Sequence, residues 1–189
     1  DKAAELILAG IAAAKYPHLV FTDADCAPAE GWLSGVGLHF GAGKELVLGI
    51  WRYARRSGPL NAFIQFETHV TAVQYLGFAA WGMPYMGVGR NLAYSKSFFD
   101  RAGGFADIAH RLSGDDDLLV NHHARGPETS ILLPRETHTI SVPERTFSSW
   151  WSQKMRHLSA GTAYRPVTQL ILSAFHGLQA IFYLSLTVA

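Results

Sequence analysis

The apolar run Leu19-Val20-Phe21 stops abruptly on two carboxylates one residue apart, Asp23 and Asp25. No other junction in the chain restricts the fold as much. Apolar residues without alternation, rich in β-formers, read as a short buried strand. Asp23 and Asp25 then sit where that strand ends. In open α/β sheets this is the edge at which ligands bind. Two acids there, followed by Pro28, suit a hard divalent cation, since Mg²⁺ is held by one or two carboxylates with phosphates and water completing its shell. The blander reading is a turn, because Asp is a common turn and N-cap residue. The motif alone leaves both open.

A second acidic cluster bears on that choice. Ser113-Gly114-Asp115-Asp116-Asp117 runs directly into Leu118-Leu119-Val120. Ser and Gly before acids and then an apolar run mark a helix start, where exposed N–H groups favour negative charge. One or two acids serve that purpose. Three side by side repel one another and raise at least one pKa unless a cation or a basic substrate group answers them. A carboxylate tuned in this way is a natural general base.

Along the chain, helical and strand patterns alternate. A helix is expected at about 2–16, a strand at 19–22, a helix at 29–40 and a strand at 45–50. After the Gly58-Pro59 break, Asn61 reads as the cap of a long helix reaching about Ala80. Its Phe63, Phe66, Val70, Val73 and Leu76 form a broad apolar face that reads as core. A strand at 87–94, short helices at 96–102 and 116–124, and strands at 130–133 and 137–142 follow. Such alternation predicts a largely parallel sheet covered by helices. No Gly-x-Gly-x-x-Gly opens a helix, so a dinucleotide fold has no support.

The C-terminal part differs in character. Trp150 and Trp151 stand among Gln153, Lys154, Arg156 and His157, which predicts an amphipathic helix at a membrane surface over 146–165. From Pro166 to Ala189 there is no Asp, Glu, Lys or Arg, and charged residues are only 16% of the whole chain. That stretch is long enough to span a hydrocarbon core of about 30 Å, although Gln169, His176 and Gln179 are poor residues for a span. Lys154, Arg156 and Arg165 just upstream place the globular part on the cytoplasmic side. A net charge of +1 without any basic run gives no argument for nucleic acid. The single Cys26 excludes an intrachain disulfide. The adjacent His122 and His123 point apart on a helix and read as structural rather than as a metal pair.

Taken together, the chain resembles family-2 glycosyltransferases of the GT-A fold, especially the membrane-bound branch near cellulose, chitin and hyaluronan synthases. Five elements carry the resemblance. They are Lys2 to Ala14, Phe21 to Cys26 with its Asp-x-Asp, Gly87 to Tyr94 followed by Gly103-Gly104-Phe105, Gly114 to Leu119, and Gln153-Lys154-Met155-Arg156-His157. The resemblance implies a GT-A-like, mostly parallel sheet with a catalytic domain over 1–145, an interface helix over 146–165 and a transmembrane helix over 166–189. In that family a first strand and the base-binding segment lie upstream, so the resemblance also implies an internal fragment with little activity in isolation.

The activity so implied is inverting, metal-dependent transfer of a sugar from a nucleotide-sugar donor, UDP-sugars being favoured, to a glycan or lipid-linked hydroxyl. It is expected at the cytoplasmic face of a bacterial inner membrane and is linked to polysaccharide biosynthesis. Asp25, with Asp23, would hold Mg²⁺ or Mn²⁺. Asp116 would be the base and Asp115 its acidic neighbour. Gln153 and Arg156 would line the acceptor channel and the diphosphate, and Asn91 and Arg90 would line the site. Where the synthases carry Trp after the Arg, this chain has His157, which leaves polymerisation and single-sugar transfer both open. Two other readings compete with this one. A dehalogenase-like phosphatase lacks support, because Ala27 stands where that family has Thr or Val and no later Lys motif is evident. A membrane-associated sugar-nucleotide or glycan-binding protein that has lost catalysis is opposed by intact Asp25 and Asp116.

Overall fold

The computed structural model describes residues 2–105 and 114–188, without the side chains of residues 2–4, 115, 187 and 188. The elements follow in the order α1 (Lys2–Ala13), β1 (His18–Phe21), β2 (Ala27–Pro28), α2 (Trp32–Gly41), β3 (Leu46–Gly49) and β4 (Trp51–Tyr53). Then come α3 (Pro59–Ala80), β5 (Leu92–Ser95), α4 (Lys96–Arg101), α5 (Asp115–His123), β6 (Thr129–Leu132), β7 (Thr139–Ser141), α6 (Phe147–Ser159) and α7 (Pro166–Val188).

The strands form two small sheets, β1-β5-β3-β6 and β2-β7-β4. The first is covered by helices on both faces, as its sequence requires. In β3 every residue is buried, and alternate side chains serve opposite layers. Val47, with Ala93 and Leu132, packs against Trp32, Val36 and Phe40, which recur every fourth residue along α2. Leu46 and Leu48 face the other way, into a core with Tyr75 and Leu76 of α3, Phe98 and Phe99 of α4 and Leu118, Leu119 and Val120 of α5.

The sheets are mixed, which corrects the expectation of a mostly parallel sheet. β5 runs antiparallel to both β1 and β3, and β2 runs antiparallel to β7. Among the described residues only β3–β6 and β4–β7 are parallel. An alternating order of elements shows that strands and helices exist, but not the direction in which each strand inserts. The expected strand at 87–94 is also shorter, since Gly89–Asn91 forms a 3-10 turn and pairing begins only at Leu92.

The long helix begins at Pro59 rather than at an Asn61 cap, Pro being tolerated in the first turn where no N–H is needed. Its core face differs from the expected stripe. Ile64, Thr68, Ala72, Tyr75, Leu76 and Ala79 are buried, whereas Phe63, Phe66 and Val73 are exposed. The apolar positions of α3 thus surround most of the helix, and only packing decides which of them form the core.

One crease organises the functional part. β3 and β6 each leave the first sheet and continue into the second, as β4 and β7. Asn91 closes this step. Its amide nitrogen donates to the carbonyls of Ile50 (2.7 Å) and Thr137 (3.1 Å), one at each break. Its carbonyl oxygen accepts from the Trp32 indole at 2.9 Å. A Cβ at Gly49 would lie 2.3 Å from the Asn91 side chain, so the strand needs glycine where Asn91 presses against it.

Candidate active site

Asp23 and Asp25 lie between β1 of one sheet and β2 of the other, so the Asp-x-Asp segment spans the same crease. Asp23 Oδ2 accepts from Arg90 Nε at 3.0 Å; the arginine side chain is 10% exposed and the carboxylate 50%. Arg90 is in turn backed by Tyr53. Its terminal nitrogen donates to the phenol oxygen at 2.7 Å, and its guanidinium lies 5.2 Å from the ring centre. Burial pulls the Arg90 pKa down, but Tyr53 and Asp23 more than reverse this, so the cation is retained. Tyr53 passes the chain on by donating to Gln153 Oε1 at 3.1 Å.

On the β7 side, Asp25 Oδ2 accepts from the Ser141 hydroxyl at 3.0 Å. Asp23, Asp25 and Cys26 offer ligand atoms within 4.8 Å of one another. Burial, reinforced by the charges of Asp25 and Asp23, pushes the Cys26 thiol up, which keeps it protonated and a poor ligand for a hard ion. The two carboxylates are oxygen donors of the kind Mg²⁺ and Mn²⁺ take. Arg90 and Ser141 hold one oxygen of each in place, as outer partners orient metal ligands. The residues present therefore fit a divalent cation.

Asp116 approaches from α5. Gly114 caps that helix at φ 93°, and a Cβ there would lie 2.6 Å from Ala160 Cβ, so both backbone and packing demand glycine. Asp116 Oδ2 accepts from Gly89 N–H at 2.6 Å and Oδ1 from Asp117 N–H at 2.9 Å. These two bonds fix the plane of the carboxylate. A Cβ at Gly89 would sit 3.2 Å from Asp116 Oδ2 and 4.0 Å from Asp23 Oδ1. The two acidic motifs, far apart in the chain, thus meet across one glycine. Asp117 Oδ2 accepts from Tyr164 at 3.3 Å, which ties α5 to the segment before α7. The Asp115 side chain lies outside the described residues.

A cleft of about 980 Å³ opens over Asp23 and Asp116, walled by α3, α6 and α7. α6 is capped by Thr146, whose hydroxyl accepts from Ser149 N–H, and is anchored by Trp150 packed against Tyr53 and Ile64. Residues three and four apart share a helix face. Gln153, Lys154 and His157 accordingly line the cleft with Trp150. Arg156 falls off that face and is exposed; its side chain is not among the cleft-lining residues. Lys154 pairs with Glu67 of α3. Burial against the wall, with Arg90, Arg156 and Lys154 nearby, pushes the His157 imidazole down to about 4, so it is neutral at working pH despite its contact with solvent.

The structure therefore unites Asp23, Asp25, Asp116 and Gln153 around one crease. Asn91, which the sequence placed as site-lining, is 2% exposed with its amide committed to the backbone, and acts as a brace. Sequence reasoning missed Tyr53, Gly89, Ser141, Lys154 and His157. The helical period from Gln153 carried the signal for His157, but nothing in the sequence marked Tyr53 or Ser141.

Two further features shape the cleft. Trp51 Nε1 and Thr68 Oγ1, both on cleft-lining residues, are buried without a hydrogen-bond partner, which a polar ligand or water would supply. On α7, Gln169, Ser173, His176, Gln179 and Tyr183 form a polar stripe along the cleft, and His176 Nε2 lies 3.2 Å from Gln74 Nε2 of α3. The helix is long and apolar enough to cross a membrane, and none of its apolar window is buried. His122, by contrast, bonds the Ala163 carbonyl at 3.0 Å and serves structure.

Comparison with known families gives a match to glycosyl transferase family 21 over residues 1–188. The chain belongs to that family and is a glycosyltransferase, as the motif resemblance implied at the level of the enzyme class. No curated protein matches it.

Proposed function

Proceeding from that membership, we propose that the chain transfers a sugar from a nucleotide-sugar, a UDP-sugar by preference, to a hydroxyl on a lipid-linked acceptor, with inversion at the anomeric carbon. The observation that carries this reading is the meeting of Asp23 and Asp116 across Gly89 at one end of a cleft whose far wall is the apolar helix α7.

Asp116 accepts the proton of the acceptor hydroxyl, which attacks the anomeric carbon from the face opposite the diphosphate. The two backbone N–H bonds to Asp116 hold its carboxylate ready, at a geometry set before substrate arrives. Asp25 and Asp23 would hold Mg²⁺ or Mn²⁺, which when bound supplies Lewis-acid stabilisation of the leaving diphosphate. Arg90 and Lys154 place positive charge around the same region, each now answered by a carboxylate, Asp23 and Glu67. Neutral His157 and Gln153 offer uncharged hydrogen-bonding groups to the sugars. The apolar Phe63, Phe66 and Leu172 along the cleft suit the chain of a lipid acceptor. α7 is the membrane-embedded element, with its polar stripe toward the cleft and its apolar face toward lipid, and the catalytic domain lies on the cytoplasmic side.

The test is release of UDP by the purified full-length protein in detergent, with Mn²⁺ and a panel of UDP-, GDP- and dTDP-sugars, beside its Asp25→Ala and Asp116→Asn variants. Metal-dependent release that falls about 10³-fold or more in Asp116→Asn is expected for loss of the base. Turnover that survives in both variants would sink the assignment of these acids.

A further inference from the structure

A second cavity, of about 530 Å³, lies away from the carboxylates, where α7 leaves the globular part. Its walls are mostly apolar, among them Phe78, Met83, Val167 and Ile171. Two arginines, Arg125 and Arg165, stand in its lining, and no acidic residue does. The arginines are poorly answered by the protein. Among the described residues Arg165 has no carboxylate partner, and it bonds through its backbone N–H to Asn121 and through its carbonyl to Gln169. Arg125 reaches Glu128 only at 3.9 Å, while the other oxygen of that carboxylate is taken by Arg101 at 2.8 Å.

We propose that this cavity binds the headgroup phosphate and proximal acyl chain of an anionic membrane phospholipid, with Arg125 and Arg165 on the phosphate and the Phe78–Val167–Ile171 wall on the chain. Three observations converge. A pair of under-satisfied cations without a competing carboxylate recognises an anion. The apolar walls recognise hydrocarbon, which a free phosphate or a nucleotide does not offer. The position decides the source. Arg165 immediately precedes Pro166, the first residue of the uncharged helix, and that junction falls at headgroup level wherever α7 enters the bilayer. Close by, Trp81 is 82% exposed at the C-terminal end of α3, one residue before Gly82 of the cavity wall. An exposed Trp at this level fits the aromatic belt of a membrane interface. The Gly82 backbone is pressed against Gly126, where a Cβ would lie 2.7 Å from it, so the loop that carries Trp81 and Met83 is seated beside Arg125.

The consequence is a lipid held outside the catalytic cleft, fixing the height and tilt of the domain on the membrane. It does not depend on what sugar is transferred. The test uses the full-length protein in detergent, with phosphatidylglycerol and phosphatidylcholine of matched chains as probes and bound lipid read by native mass spectrometry. Phosphatidylglycerol is expected to remain on the chain and to bind about 30-fold more weakly after the paired substitution Arg125→Gln and Arg165→Gln, as two interfacial cations predict. The paired Arg125→Lys and Arg165→Lys variant is expected to keep most of the binding, and it serves as the folded reference if the glutamine pair unfolds. Equal retention of phosphatidylcholine, unchanged phosphatidylglycerol binding in the glutamine pair, loss in the lysine pair equal to that in the glutamine pair, or displacement of the lipid by millimolar inorganic phosphate would each overturn the assignment.

Discussion

The floor of the cleft and its α7 wall are built by different physics. At the floor, Arg90 and Asn91 are nearly buried, Arg90 bonded to Asp23 and Tyr53 and Asn91 to Trp32, Ile50 and Thr137. The wall leaves its apolar window unburied and meets the domain through a polar stripe, the Gln74–His176 contact, the Asn121–Thr168 hydrogen bond, the Phe78–Phe175 ring pair and Leu172 against the core. Folding alone therefore fixes the carboxylates, whereas the apolar window of α7 is left unburied by the rest of the chain. That division suits the lipid-linked acceptor proposed above, since the chemistry needs rigid groups and an apolar acceptor needs an unburied apolar wall.

The sharpest way to break the comparison is at Asn91. Asn91→Ala strands the Trp32 indole and two backbone carbonyls in the crease and is expected to cost about 3 kcal/mol of stability by chemical denaturation. If stability barely moves, the floor is not braced as described. Arg90→Met comes next. It leaves Asp23 and Tyr53 without their cation, with an expected loss of about 2 kcal/mol, lower than for a fully buried pair because Asp23 is half exposed. Turnover should drop further than Asn91→Ala makes it drop per folded molecule.

Gly89→Ala sharpens the contrast by separating activity from stability. The added methyl meets Asp116 Oδ2 at 3.2 Å, so the Asp116 carboxylate must shift. UDP release is expected to fall about 100-fold, as small misplacements at a reacting centre do, with under about 1 kcal/mol lost in stability. On the wall, His176→Ala should change stability by at most about 0.5 kcal/mol, as exposed substitutions do, while raising KM for the acceptor more than it lowers kcat.

The smallest effect is a pH dependence. His157 is held below its ordinary 6.5, first by burial and then by Arg90, Arg156 and Lys154. A base depressed in the folded state gives its stabilisation above the unfolded value and loses it as pH falls. The loss should run from about pH 6.5 toward 4 and be absent in His157→Gln, as read from unfolding midpoints across that range. An identical acid limb in the variant would mean that the imidazole is not shielded by the wall.

Much of this was legible in the chain, for reasons that differ by element. Acids at the end of an apolar run marked the crease between the two sheets, because a strand that stops on charge has to stop at solvent or ligand. Gly114 before three acids marked the start of α5, because local capping rules do not depend on the rest of the fold. Strand direction was not legible, since β5 pairs antiparallel through contacts with residues distant in sequence. Nor was the core face of α3, where Phe63 and Phe66 are as apolar as Ile64 and Tyr75 but line a cleft.

The sequence by itself determined which carboxylates exist, that strands and helices alternate, and that the last stretch carries no formal charge. These are local properties, set by side-chain chemistry and period. Only the tertiary structure decided that Asp23 and Asp116 meet across Gly89, that Asn91 braces rather than binds, and that Lys154 and His157 line the cleft while Arg156 does not. Each of those depends on how two sheets and three helices close on one crease, and no local pattern encodes distances between residues that only packing brings together.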